Sequence, residues 1–406
     1  MRFRPICWLC FGLGLGLSGA VRATPLEDEV RFWEARSARD IADAISPTFE
    51  GEACLKLVRA TARMEWETKA EAALRTALAR NPEYVPALVA LSALCLRRHA
   101  FAEAAKWADE AVRLEPEQAV ALAARGDVRL ETGQLAEARA DYRRVAEKAP
   151  GLGAESRLAR LQFLEGQPKE AAAALERALN NPPAGARPET LAQVELQLGE
   201  LRFRSGDYAG ATALYRQAQQ HAPELPVVLD HQAELEAAEG QAALARGRFE
   251  ALARRTLRPE YQQAVGDLLK SAGDETAARA WHDQALQGYL EAARHDDPRY
   301  DHHLATFYSD VRRDAAAAVK WARLDFARRQ TAFTMDSLAW ALHLDGQPAE
   351  ARKLLDRALA TGIQDAQLFF HAAIIVLAEG DKQAGGQWLA SAAAVNPHFQ
   401  AYHFHR

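Results

Sequence analysis

Cysteine is scarce in this chain: there are four in 406 residues, and two of them, Cys7 and Cys10, lie among the first ten. That excludes a disulfide framework and leaves Cys54 and Cys95 as the only thiols beyond the first ten residues. Positive charge is not in excess either, with 50 Lys and Arg against 55 Asp and Glu and a formal charge of −5. No basic face stands out, which argues against a nucleic-acid partner, because binding to phosphate backbones rests on counterion release. Apart from the first 23 residues, no apolar run is long enough to cross a bilayer. Motifs that carry chemistry are missing too: there is no Gly-rich phosphate loop, His-Glu-x-x-His or Gly-x-Ser-x-Gly, and no Cys-x-x-Cys outside Cys7 to Cys10. The chain therefore reads as non-enzymatic and without a cofactor.

At the start of the chain, Arg2 and Arg4 precede an apolar stretch from Ile6 to Leu17, followed by Val21, Arg22 and Ala23. A basic start, a short apolar segment and small residues form the pattern of a secretory signal over 1–23, cut after Ala23, with Ala20 as the alternative. Gly12, Gly14 and Gly16 weaken the segment as a membrane anchor, and Cys10 lacks the leucine three residues earlier and the small residues just before it that lipid attachment requires. Removing the segment takes away three arginines and moves the formal charge from −5 to −8. The expectation is a soluble protein, periplasmic or secreted, with no membrane span after signal removal.

Prolines recur at Pro82, Pro116 and Pro150, 34 residues apart each time. Twelve residues before them stand Ala70, Ala104 and Ala138, and five before the first two stand Ala77 and Ala111. Alanines seven apart share one helix face and let a neighbouring helix approach closely. Downstream the pattern continues with small slips, through Leu158, Ala159, Gly166 and Ala171, then Gly199, Gly206, Ala211 and Tyr215, and on to Gly346, Ala351 and Ala358. Glycines sit mid-unit in "ETGQLAEA", "RSGDYAGA", "SAGDETAA" and "LDGQPAEA", where one helix must end and the chain reverse.

On these residues the chain resembles the tetratricopeptide repeat (TPR) family, of the exported bacterial type. The resemblance implies an all-α, right-handed superhelical solenoid of about ten helix-turn-helix units, with first helices lining a concave groove. Units one to four are expected over 51–183, an inserted loop "AGARPETL" at 184–191, units five to ten over 192–399, and a tail at 400–406. Residues 24–50, with Phe32, Trp33, Ile41 and Ile45, suit a helical cap over the open end of the stack. Cys54 and Cys95 fall on adjacent parallel helices with an axial offset of ~10 Å, beyond disulfide reach, so both should be free and buried.

One segment, "RYDHHLATFYSDVRRD" at 299–314, asks for a separate reading. Around Ala305, a spacing of 100° per residue puts Arg299, His302, Thr306 and Ser309 on one stripe. The matching stripe around Ala339 holds Phe333, Asp336, Trp340 and His343, and that around Ala373 holds Gln367, Phe370, Ile374 and Leu377, with His303 and His371 near the rim. Aromatic and imidazole groups clustered in a groove suit contact with a protein or extended peptide. The groove contacts expected are Arg299, His302, Thr306, Phe333, Asp336, Trp340, His343, Phe370 and His371. Earlier stripes carry mixed charge: Asp127, Arg157, Arg160, Glu200, Asp230, Glu234, Gln263 and Asp267. The alternative is a metal-binding or metal-responsive periplasmic protein, in which His302 with His343 or His371, helped by Asp336, would supply the ligands. Against that, the adjacent His302 and His303 diverge around the helix, and no histidines within these helices stand three or four apart. "DDP" at 296–298 reads as a helix cap by Asp297 followed by Pro298 in the first turn.

Overall fold

The regular spacing of small residues and turn glycines becomes a stack of antiparallel helix pairs. The structure, a computed structural model, describes residues 25–223 and 225–399. The signal segment 1–23 and the tail 400–406, with His403 and His405, lie outside the described residues. Ten pairs run in order from Ile45–Thr61 with Glu65–Arg80 to Ala366–Ala378 with Lys382–Val395, and Pro25–Arg39 packs on the first of them. Between Asn180 and Pro188 the chain makes a turn, and the first helix of the fifth pair runs Pro188–Arg204. The described residues contain no strand. The fold is an all-α helical-repeat solenoid.

Small residues set how closely the helices approach. Ala70, Ala104, Ala138, Ala171, Ala211, Ala245 and Ala351 are completely buried, each near the start of the second helix of its pair. The first helices contribute glycines that accept an aromatic ring from the second. A Cβ on Gly126 would fall 2.5 Å from the Tyr142 ring, and the Tyr142 hydroxyl donates to Asp127 at 2.8 Å. Gly199 makes the same room for Tyr215, and Gly266 for His282. Burying such a ring stabilises the pair by ~1.5–3 kcal/mol, and the bond to Asp127 removes the penalty of burying the hydroxyl.

The eighth pair departs from the pattern. Its first helix is broken into a 3-10 turn, Pro298–Tyr300, a short α-helix, Asp301–Thr306, and a π-helix, Phe307–Arg312. Asp297 caps the turn as expected, accepting from the Arg299 backbone N–H at 3.2 Å. A uniform 100° spacing across 299–312 therefore fails: Arg299 lies before the helix, and Ser309 is buried inside the wider turn.

The solenoid also coils tightly enough for its two halves to touch across the concave groove. Turns within the early pairs meet connections in the late ones. Arg299 reaches Glu67 at 2.7 Å across 232 residues of chain. The Arg329 guanidinium lies 5.5 Å from the Phe101 ring centre, and Arg204 donates to Asp365 at 3.3 Å. Backbones meet as well: a Cβ on Gly133 would collide with the Gln330 carbonyl, and one on Gly166 with the Gly362 carbonyl. Gly166 must be glycine twice over, since its φ of 78° also disfavours a side chain. Along this seam residues far apart in sequence meet beside the inner face.

Candidate functional site

First helices line the interior, as the repeat pattern implies. Val89 and Leu96, Ala123 and Asp127, and Leu152 and Arg157 come from three consecutive first helices and border a groove of about 580 Å³. It runs on into a second groove of about 600 Å³ with Ser156, Gln193, Gln197, Glu200 and His231 in its wall, where Phe333 arrives from the far side of the seam. Both grooves are mainly apolar, and the second adds more polar and charged side chains to its wall. Volumes of this order accept a small molecule or a few side chains of a docked segment.

The charged residues expected along the early stripes are paired with one another. Arg157 grips Asp127 through two bonds, at 2.7 and 2.9 Å, and Arg160 pairs with Glu131. Gln197 and Ser156 bond at 2.5 Å, and Gln263 accepts from Tyr289 at 2.8 Å. Asp267 binds His282 at 2.8 Å. Arg204 holds Glu200 at 2.7 Å and stands between the Phe163 and Phe333 rings, 5.5 and 5.8 Å from their centres. Burial alone would raise Glu200, yet Arg204, His231 and Arg160 hold it down to about 2. Burial would likewise depress His231, but its bond to Glu234 and the charges of Glu234, Glu200 and Asp230 carry it up to about 9.

In the later pairs the structure assembles part of the expected cluster. Trp340 lies flat on His371, with centres 4.4 Å apart and planes 6° apart, and His343 stacks on Trp340 at 5.6 Å. The indole N–H donates to Asp310 at 3.3 Å. Trp340, His343 and Phe370 remain half-exposed, and Phe370 meets Phe399 at 5.8 Å. His371 is buried rather than at the rim, with Nδ1 3.0 Å from both oxygens of the buried Asp336. Burial opposes protonation of this imidazole, but Asp336 beside it raises its pKa.

The remaining expected contacts sit elsewhere. Arg299 is buried and engaged with Glu67 and Asp297, so it belongs to the seam. His302 faces His303 and His99, with ring centres 4.0 and 5.2 Å away, and Thr306 bonds back to the His302 carbonyl at 2.9 Å. His302 thus stands in a different cluster from His343 and His371. Among the described residues no three His, Cys, Asp or Glu side chains gather as metal ligands. The metal arrangement drawn from His302, His343, His371 and Asp336 is therefore not formed. Cys54 and Cys95 are free and buried, and burial pushes both thiols up to about 12.

Sequence reasoning missed Arg97, Arg204, Arg258, Arg329 and His99, which also face the interior. They come from helix ends and connections, and nothing in their local spacing announces a shared destination.

No protein-family model and no curated protein sequence matches the chain. Among solved structures it is similar to a tetratricopeptide repeat protein from Parabacteroides merdae ATCC 43184, at 15% identity over 59% of this chain and 93% of that one, with a TM-score of 0.40. It is also similar to PilW, a widely conserved type IV pilus biogenesis factor, at 18% identity over 51% and 94%, with a TM-score of 0.41. The human IFIT1 dimer with PPP-AAAA matches at 14% identity over 90% and 94%, with a TM-score of 0.46. Ten stacked helix pairs, with their buried alanines and their turn glycines, give this chain the all-α helical-repeat solenoid that its resemblance in sequence implies.

Proposed function

We propose that the protein is a non-catalytic scaffold or adaptor, exported to the periplasm or secreted, that holds a protein or an extended peptide segment on its inner and C-terminal faces. The observation that supports this most is the half-exposed Trp340, stacked on His371 and in contact with His343, beside Phe370 and Phe399. A rigid indole with one satisfied polar atom and much apolar surface is the kind of group that anchors protein contacts. The continuous groove of the early pairs adds apolar surface beside fixed hydrogen-bonding groups. The basic, apolar, small-residue start of the chain supports export.

The test is a photo-crosslinking residue placed at Phe370, compared with one at the outward-facing Lys320, in the native cell. The expected result is a discrete adduct from position 370 only, lost when Trp340→Ala is added and unchanged by chelator. N-terminal sequencing of the same protein should begin at Thr24. Equal adducts from Lys320, or a retained N-terminal segment, would overturn the surface assignment and the export assignment respectively.

A further inference from the structure

Where the seam closes over the second groove lies a smaller chamber of about 410 Å³ whose wall is dominated by arginine. Arg97, Arg160, Arg204, Arg258, Arg299 and Arg329 all line it, each from a different helix or connection. Three histidines, His99, His302 and His303, complete the cationic side, and Glu131 is the one carboxylate in the wall. Such a concentration in a chain of formal charge −5 is a product of the coil and not of composition.

The carboxylates that answer these charges stand behind them. Glu67 takes Arg97 Nε at 2.8 Å and Arg299 Nη2 at 2.7 Å, Asp325 takes Arg329 Nε at 2.8 Å, and Glu260 pairs with Arg258. These bonds orient the guanidiniums without using all their donors, since each carries five N–H groups. Arg97 gives Glu67 only its Nε, and Arg258 Nε is buried without a hydrogen-bond partner among the described residues, as is His99 Nδ1. Burial first, and then the charges of Arg329, His303, Arg299 and Arg328, depress His99 to about 3. Planar guanidiniums fixed by carboxylates offer paired donors to tetrahedral or planar oxyanions.

We propose that this chamber binds a compact polyanion, a small molecule carrying two or more phosphate or carboxylate groups. Its volume is at the lower end of the ~300–1,000 Å³ of small-ligand sites, which suits a compact ligand. The site is separate from the Trp340 surface, so either assignment can fail alone.

Calorimetric titration of the full mature chain with pyrophosphate and, separately, with citrate tests it and distinguishes the phosphate source from the carboxylate source. The expected result is one site per chain for at least one of the two anions, weakening as salt is raised. Arg160→Gln, at a side chain 57% exposed, should weaken binding at least about tenfold, while the outward-facing Lys320→Gln leaves it unchanged. Should Arg160→Gln fail to fold, Arg97→Gln takes its place, and the rise in wild-type melting temperature with added anion reads binding without any variant. No binding of either anion at millimolar concentration, or equal weakening by Lys320→Gln, overturns the proposal. So does binding of an acidic peptide or an oligonucleotide where both small anions fail.

Discussion

Two glycines at equivalent turns separate the repeat from the coil. Gly166 and Gly240 both end a first helix with nearly the same backbone, φ 78° and 80°. Alanine at either position must adopt a left-handed conformation that costs ~1–2 kcal/mol for an L-residue. A Cβ on Gly240 meets nothing within 4 Å, whereas one on Gly166 is driven into the Gly362 carbonyl of a distant pair. Backbone cannot give way as a flexible side chain can, so Gly166→Ala carries a further ~1–3 kcal/mol of overpacking, or else the seam opens. Urea unfolding followed at the first transition, which is the meaningful midpoint for a repeat array, should show Gly166→Ala losing ~2–5 kcal/mol against ~1–2 for Gly240→Ala. Small-angle scattering should report expansion of the coil for Gly166→Ala alone. Equal losses with unchanged dimensions in both variants would show that the two halves do not touch in solution, and the seam with its chamber would have to be abandoned.

Glu67 gives a pH-dependent test of the same seam. Burial would raise its carboxyl, but Arg299 and Arg97 hold it at about 2 instead of 4.5, a contribution on the order of 3 kcal/mol. Because the folded value lies below the unfolded one, this stabilisation is complete above pH ~4.5 and is lost as pH falls through about 2. The stability gap between wild type and Glu67→Gln should therefore shrink in acid; a gap that stays constant down to pH ~2 refutes the assignment. His231 behaves in the opposite sense: its raised value of about 9 means that its contribution is full below pH ~6.5 and fades as pH rises through about 9. Proton NMR of the ring should find it still protonated at pH ~8, and a midpoint near ~6.5 would contradict the Glu234 pairing. Cys54 and Cys95, raised to about 12 and buried, should stay unreactive toward an aromatic disulfide reagent at pH ~8 until the protein is denatured. Rapid labelling of the native chain would show that these helices are open.

The repeat and its helix pairs were legible in the chain because they depend on local rules. Ala70, Ala104 and Ala138 mark the buried face wherever they recur, and Gly133, Gly206 and Gly346 mark reversals by the φ they allow. The Trp340, His343 and Phe370 cluster was legible too, since it lies on regular helices where the 100° rule holds. The rule failed at Arg299 and Ser309 because a 3-10 turn and a π-helix replace the regular spacing there. His371 was misplaced at the rim because a carboxylate on the neighbouring helix, Asp336, draws it inward.

Apart from the broken first helix of the eighth pair, secondary structure, pairing and core were thus determined by the sequence itself, because each depends on residues within about one repeat of each other. The tertiary structure alone decided how far the stack curls. Small rotations between neighbouring pairs add up over ten units, and their sum brings Glu67 to Arg299, Gly166 to Gly362 and Arg204 to Asp365. No local pattern encodes that sum, and so the seam and the ring of arginines inside it became visible only once the whole coil was in place.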